Sequence, residues 1–359
     1  MKRSAVAAVL LQAFATQVYA QSSVTMYGSI DNGITYVNNV AGKSILMEQG
    51  GISRANAFGV TGTEELGGGL STVFKLENGF STTTGALGQG GLLFGKQAYV
   101  GLHDDSLGEL TFGRHYDFTV LLEPYMPCIG CGIYSVENAD LDRISGERLN
   151  NSARFRSASY GGFSFGAMYA FGQYAGPLTM NAGRAYSGFV QYEHGPFSAM
   201  AVVTDINGAP IGAGQLGART VLGMPVQPNT TLIVDNQRIA ALGASYKLGK
   251  WTPSLTYSNT QLKERGMAST DQLLRLGTTY SVTPATLLSG QVSVDHFEQS
   301  RWYTVNLGLD YYLSHSTDVY VDLAAQKASG PQTMASIFLA GTASTSSQFL
   351  SRVGVKHIF

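Results

Sequence analysis

Charged residues are scarce in this sequence: Asp, Glu, Lys and Arg make up 13% of 359 residues, about half the usual share. Lysine and arginine number 23 against 24 acidic residues, so the chain lacks the basic excess expected of a protein that binds nucleic acid. Beyond the first 20 residues no run of 18 apolar residues occurs, which excludes a membrane-spanning helix there. Glycine, by contrast, is abundant, with 44 residues.

The N-terminus has the three parts of a secretory signal peptide. Lys2 and Arg3 are basic, the stretch 5–15 is apolar, and the small-x-small sequence 18–20 ends at Ala20. This order predicts cleavage after Ala20 and export of a mature chain 21–359 that forms one domain. A buried N-terminal helix is the alternative. With no later apolar helix, the exported product is either soluble or a β-barrel.

Short segments of alternating polarity recur along the mature chain, and their length suits tilted membrane strands. Short connectors alternate with long ones, as in an outer-membrane barrel with tight turns on one side and loops on the other. The long connectors are predicted over 38–51, 81–93, 117–149, 206–235 and 328–347. The predicted strands are 23–37, 52–63, 70–80, 94–103, 109–116, 150–159, 163–174, 185–194, 197–205, 236–247, 251–262, 270–281, 285–296, 301–313, 318–327 and 348–359.

The stretch 150–171 indicates which face of such a strand meets water and which meets lipid. Phe163, Phe165 and Phe171 share one face of the second strand, while Arg154 and Arg156 share one face of the first. A barrel of about sixteen strands has a lumen too wide for side chains to fill, so its interior is aqueous. We therefore expect the aromatic face to meet lipid and the two arginines to face the lumen. The last segment ends on a terminal aromatic residue and is expected to pair with the first, closing the barrel.

Several stretches resemble the general trimeric porins of Gram-negative bacteria, in particular the type common in β-proteobacteria. They are SSVTMYGSIDNGI, GTEELGGGLSTVFKLENGF, TGALGQGGLLFGKQAYVGL, LTFGRHYD, NNSARFRS with FGAMYAFG, and the terminal VGVKHIF. The resemblance implies an all-β fold: a 16-stranded antiparallel transmembrane β-barrel whose third long loop, here 117–149, folds inward as a constriction. It also implies a homotrimer in outer-membrane lipid that passes small hydrophilic solutes and ions.

The resemblance also implies a basic wall facing acids across the constriction. Two family positions depart from the pattern, because Ala57 and Thr61 stand where bases are usual, whereas Arg156 stands where an acid is common. We therefore predict mild anion preference at most. The predicted basic side comprises Lys75, Lys96, Arg114, Arg148, Arg154 and Arg156, and the predicted acidic side comprises Glu77, Glu123 and Asp140.

Other chemistry is weakly indicated. Cys128 and Cys131 form CIGC in the long loop, where a small disulfide, a redox pair and half of a metal site compete. Export to an oxidising compartment favours the disulfide, since a redox pair lacks a thioredoxin-like βαβ context and a zinc site lacks a second pair of ligands. The histidines have no ligand spacing, and no nucleophile–base set is evident. We expect no metal, no cofactor and no enzymatic activity. An outer-membrane barrel enzyme or adhesin, in which the loops carry the function, is the alternative to a channel.

Overall fold

The computed structural model describes residues 22–172 and 182–359. The predicted signal peptide, 1–20, lies outside these residues, so the division at Ala20 stays a prediction. The strands are β1 (Ser23–Val40), β2 (Lys43–Gly50), β3 (Ala57–Gly67), β4 (Leu70–Gly79), β5 (Gln97–Asp104), β6 (Gly108–Tyr116), β7 (Arg148–Ser157), β8 (Phe163–Ala170), β9 (Ala185–His194), β10 (Phe197–Ile211), β11 (Thr220–Val221), β12 (Met224–Pro225), β13 (Leu232–Tyr246), β14 (Trp251–Glu264), β15 (Met267–Thr283), β16 (Thr286–Phe297), β17 (Ser300–Tyr312), β18 (Thr317–Ser329) and β19 (Ser347–Ile358).

Seventeen of these strands form one antiparallel sheet that closes on itself where β1 pairs with β19. The strands β2 and β3 lie end to end beside the two halves of β1. They therefore occupy one strand position in the barrel, which has sixteen strand positions, as predicted. Closure leaves no sheet edge whose backbone groups would be unpaired in a membrane.

Burial alternates along the strands, as expected for a barrel with a polar interior. On β17, Val305, Leu307 and Leu309 are exposed on the outer face, whereas the intervening Asn306 and Asp310 point inward and are buried. Phe163, Phe165 and Phe171 are likewise exposed on the outside. The prediction that the aromatic face points away from the lumen therefore agrees with the fold.

Two of the predicted long connectors are wrong in part. In place of a loop over 38–51, β1 continues to Val40 and turns at Ala41 and Gly42 directly into β2. Gly42 has a φ of +92°, a conformation that glycine adopts at little cost. Within 206–235, β10 runs to Ile211, a small β11–β12 hairpin follows, and β13 begins at Leu232. In β10 the extension 206–211 contains Gly208 and Pro210, residue types that are depleted in strands, so its sequence favours a loop.

Some predicted strand ends also shift. The strand predicted over 52–63 begins at Ala57, the one predicted over 94–103 begins at Gln97, and β8 ends at Ala170. Residues 173 and 174 of the predicted 163–174 lie outside the described part of the chain. Residues 265–266 and 298–299 form further tight turns at the loop end of the barrel, so that end is less loop-rich than the sequence suggests.

The third long loop lies inside the barrel, over 117–147, because β7 already begins at Arg148. Three short 3₁₀ segments form most of it: Phe118–Tyr125, Ile129–Ser135 and Asn138–Asp140. The first packs on β9, β10, β13 and β14, and the second packs on β16, β17 and β18. Across the described ranges, no helix is long and apolar enough to cross a membrane.

Candidate channel constriction

The infolded loop is anchored to the barrel wall by one buried arginine. On β15, Arg275 is fully buried, with its Nε 2.6 Å from Oε2 of Glu137 and its Nη1 2.7 Å from Oδ2 of Asp142. The side chains of Gln291 and Ser293 also donate hydrogen bonds to Glu137, at 2.9 and 2.6 Å. Burial raises the pKa of Glu137, and the Arg275 guanidinium acts in the opposite direction. Glu137 and Asp142 of the loop are therefore both bound to the barrel wall.

The middle of the loop also contacts β1, the segment after β2, and β17. The Tyr134 hydroxyl lies 3.0 Å from the Thr35 hydroxyl on β1, and the Ile133 amide donates to the Ile52 carbonyl at 2.8 Å. On β17, the Asn306 amide donates to the Tyr134 carbonyl at 2.9 Å. The loop is thus joined to the barrel wall at β1 and β17 as well as at Arg275 on β15.

Cys128 and Cys131 are joined by a disulfide within this loop. Both residues are buried, and the Cys128 sulfur lies 3.3 Å from the Ser289 hydroxyl on β16. No cluster of three His, Cys, Asp or Glu side chains suited to a metal is present among the described residues. Of the three interpretations that the spacing allowed, the geometry matches a small disulfide loop pressed against the wall.

The predicted acid Glu77 does not lie across the channel from the bases. It is buried on β4, and its carboxylate lies 3.1 Å from the Lys75 ammonium and 3.0 Å from the Lys96 ammonium. The Tyr27 hydroxyl donates to the same carboxylate at 2.7 Å. The prediction that placed Glu77 opposite Lys75 and Lys96 is therefore wrong in geometry. These three charges form one compact cluster on one wall.

Three predicted bases form a row along β7, each against an aromatic ring. The guanidinium of Arg148 lies 4.7 Å from the Tyr116 ring centroid, that of Arg154 lies 4.8 Å from Phe118, and that of Arg156 lies 5.9 Å from Phe189. Such cation–π contacts orient the cation without neutralising it. Within 22–172 and 182–359, none of the three lies within ion-pair distance of a carboxylate.

Arg114 is more constrained than the arginine row. It donates to the Gly95 carbonyl at 2.8 Å and to the Asn150 side chain at 2.5 Å. At the two positions where the family usually has a base, this chain has uncharged side chains. Ala57 is buried, and the Thr61 hydroxyl donates to the Phe74 carbonyl at 3.1 Å.

Glu123 and Asp140 have different surroundings, although both were predicted for the acidic side. Glu123 is exposed to the lumen. Desolvation by the surrounding walls raises its pKa, against the nearby charges of Arg54 and Lys96. Asp140 is buried, and the Ser145 amide and hydroxyl donate to its carboxylate at 3.1 and 2.5 Å. Burial raises the pKa of Asp140 to about 8. The structure therefore brings Glu123, and not Asp140, to the channel surface.

Several functional residues were missed from the sequence. Arg54 follows β2, and its positive charge is the largest influence that opposes the raised pKa of Glu123. Arg275 anchors the loop. On β19, the Arg352 side chain donates to the Tyr320 hydroxyl at 2.8 Å and the Lys356 ammonium donates to Asp310 at 2.8 Å. Alternation placed Arg352 and Lys356 on one face, but their partners lie on other strands and gave no local signal.

Comparison with known proteins agrees with this architecture. The model of the Gram-negative porin family matches residues 5–331. An outer membrane porin protein of Bordetella pertussis is 32% identical over 232 residues, covering 58% of this chain and 60% of that protein. Outer membrane porin protein 32 of Delftia acidovorans is 28% identical in an alignment of 384 positions that covers the whole of both chains. The chain thus spans about 60% of the length of the Bordetella relative in that alignment.

Solved structures show the same fold. The anion-selective porin from Comamonas acidovorans superposes with a TM-score of 0.78 at 25% identity, covering 94% of this chain and 100% of that one. The trimer form of OmpT from Vibrio cholerae has a TM-score of 0.71 at 13% identity, covering 94% of this chain and 99% of that one.

The barrel is closed, has sixteen strand positions, is apolar outside and polar inside, and holds a loop folded into its lumen. These features define a channel-forming barrel of the outer membrane. The chain belongs to the Gram-negative porin family.

Proposed function

We propose that this barrel lets small hydrophilic solutes and ions diffuse passively across the outer membrane, that its anion preference is mild at most, and that it is not an enzyme. The observation that carries the anion preference is the row of Arg148, Arg154 and Arg156, whose charges have no carboxylate partner in the described structure. Rows of charge of one sign along a pore bias which ion enters.

The loop opposite this row offers little negative charge in return. Its Asp117 is paired with Arg143 at 2.6 Å, and Glu137 and Asp142 share Arg275. The exposed loop acids are Glu123 and Glu147. In a narrow channel with low-dielectric walls, the unpaired arginines are screened less than on an open surface. The constriction therefore has a positive excess in this proposal.

Acids elsewhere in the lumen keep the proposed preference moderate. Asp31, Asp310, Asp318 and Asp322 line β1, β17 and β18, where the bases facing them are Arg352 and Lys356. All four acid side chains are buried, and the ion pairs with Arg352 and Lys356 offset part of their charge. Their remaining negative charge opposes that of the arginine row, so the proposed anion preference is mild at most.

Single-channel recording in a planar bilayer tests the proposal. We expect steady ionic conductance, and in a KCl gradient we expect a reversal potential of the sign that chloride permeation produces. Absence of any steady conductance from correctly folded protein would leave the loops as the functional part and favour an enzyme or adhesin. A reversal potential of the cation sign would contradict the proposed role of the arginine row while leaving the channel itself intact.

The assembly that we propose is a homotrimer in outer-membrane lipid. Family membership supports it, and so does the outer face of β1 and β2. There Asn32 donates a hydrogen bond to Glu48 at 2.7 Å, between Ile34 and Leu46, which are 51% and 70% exposed. A carboxylate facing hydrocarbon is costly, and a neighbouring copy would cover it.

We expect unheated protein in SDS to migrate near three times the monomer mass and to convert to monomer on heating. The variant Leu46→Glu should abolish the slow band, because it adds a second carboxylate to the contact face. The matched variant Leu307→Glu, on the outer face of β17, should keep it. A monomer band alone for unheated wild-type protein would contradict the trimer.

A further inference from the structure

A cavity of about 620 Å³ lies at the loop end of the barrel, between the β11–β12 hairpin and the starts of β15 and β17. Ser269 of β15 and Ser300 of β17 line it. Both alternate in phase with the buried Asp271 and Trp302, which places them on the lumen side of their strands. Small-molecule sites usually have volumes of roughly 300–1,000 Å³. The cavity therefore lies at the mouth of the channel and is large enough for a small solute.

Two opposite charges line this cavity. Arg219, directly before the hairpin, is exposed, and Glu298, in the turn between β16 and β17, is partly buried. In the described part of the chain, neither side chain has an oppositely charged group within ion-pair distance. The two residues therefore do not pair with each other, and both charges are available to a ligand.

The Glu298 carboxylate is held in place through one of its two oxygens. Oε1 accepts hydrogen bonds from the Leu222 amide at 2.8 Å and from the Ser269 hydroxyl at 2.6 Å. No residue within 22–172 or 182–359 donates a hydrogen bond to Oε2. A group that is already fixed loses little conformational entropy when a ligand binds. The second oxygen is thus prepared to accept a hydrogen bond from a cationic group.

The neighbouring turn shows that opposite charges at this end of the barrel can pair directly. Between β14 and β15, the Nε of Arg265 lies 3.2 Å from Oε1 of Glu264. Those two charges compensate each other without a ligand. The separation of Arg219 from Glu298 is therefore particular to the cavity.

Apolar side chains line the same cavity. They are Leu222, which is buried, Met267, which is 42% exposed, and Pro331. An aliphatic group that covers this surface gains free energy by leaving water. The cavity thus offers a positive charge, a negative charge and an apolar surface to one ligand.

We propose that this cavity binds zwitterionic amino compounds with an apolar side chain, either free amino acids or short peptides. The ligand's ammonium donates to Oε2 of Glu298, and its carboxylate accepts from the guanidinium of Arg219, which matches it in paired hydrogen bonds. Glu298 repels a simple anion and Arg219 repels a simple cation, so a ligand that carries both charges suits the site best. The cavity serves solute entry only if the barrel conducts as proposed, whereas binding itself needs no conductance.

Isothermal titration calorimetry of the full barrel in detergent tests this proposal with four probes. They are leucine, leucylleucine, leucinamide, which lacks the carboxylate, and N-acetylleucine, which lacks the ammonium. Leucine should bind about tenfold more tightly than either blocked form, because each blocked form loses one charge-assisted contact. Tighter binding of leucylleucine than of leucine would support short peptides as the ligand, and the reverse order would support free amino acids.

Each variant of the two charged residues should affect only one end of the ligand. Arg219→Gln should weaken leucine binding about tenfold and leave leucinamide binding unchanged, since leucinamide has no carboxylate. Glu298→Gln should weaken leucine binding to a similar degree and leave N-acetylleucine unchanged. Its amide oxygen can still accept the hydrogen bonds of Leu222 and Ser269, so the hairpin stays anchored.

The matched variants Lys247→Gln and Glu65→Gln each remove one exposed charge from the short-turn end, and they should bind all four probes like wild type. Equal affinity of the wild-type barrel for the four probes would overturn the proposal. An equal loss of every probe in Arg219→Gln and Glu298→Gln would overturn it too, since neither charge would then recognise its own end of the ligand. Steady conductance without binding would overturn this site and leave the proposed channel standing. Binding in the crossed pattern without conductance would support the site and count against the channel.

Discussion

Replacing Arg275 with leucine should release the infolded loop from the barrel wall. The guanidinium holds Glu137 at 2.6 Å and Asp142 at 2.7 Å in a site without solvent exposure. Removing one partner of a buried ion pair usually costs about 3–5 kcal/mol, because a charge is left buried and uncompensated. Here two carboxylates lose the same partner. We expect a lower free energy of unfolding and a single-channel current that no longer stays at one level.

This loss of stability should be reversed by neutralising Glu137 and Asp142, the two buried carboxylates that lose their partner. In the triple variant Arg275→Leu, Glu137→Gln and Asp142→Asn, the two carboxylates that Arg275 binds are replaced by neutral amides, so steady conductance should return in large part. Acidification should act in the same direction on the single variant, because protonation of Glu137 removes its charge. Arg238→Leu on β13, which breaks the ion pair of a half-exposed arginine with Asp205 away from the loop anchor, is the control and should leave the current steady. A wild-type current from Arg275→Leu would mean that other contacts hold the loop.

The sequence predicts the barrel well because each strand carries its own signal. Alternation at Phe163, Phe165 and Phe171 is local, and it identifies the outer face without knowledge of any other strand. The same rule fails at β2, where KSILMEQG mixes polar and apolar residues on both faces. Its outer face carries Glu48 beside Leu46, a combination that suits a protein contact better than lipid.

The constriction is harder to predict because pairing between charges depends on distant chain segments. Arg275 lies more than 130 positions from Glu137 and Asp142, so nothing near it in the sequence marks it as the loop anchor. From the sequence, Glu77 is expected to face the basic residues across the channel. The strand register instead places it beside Lys75 on the same strand and next to Lys96. A list of charged residues cannot distinguish a paired acid from a free one. The fold does so by bringing the partners together.

The arginine row on β7 yields the last and most direct prediction, because alternation predicts that Arg154 and Arg156 share the lumen face and both are without a carboxylate partner in the described fold. Arg154 lies over Phe118 of the loop, and Arg156 lies over Phe189 of β9. An ion passing about 8 Å from one unit charge changes in energy by about 0.5 kcal/mol in bulk water. Reversing two charges amounts to about 2 kcal/mol before screening, and salt at 0.1 M reduces this because its screening length is about 10 Å.

The double variant Arg154→Glu with Arg156→Glu should therefore lower the chloride-to-potassium permeability ratio severalfold and move the reversal potential towards cations. The variant Lys247→Glu with Lys250→Glu makes the same change in net charge at an exposed turn and should shift it much less. The shift should also shrink as the KCl concentration rises, since screening weakens charges that face water. Equal shifts in the two variants would mean that the net charge of the barrel sets selectivity. No shift in the arginine variant, with conductance intact, would place the ion path away from β7.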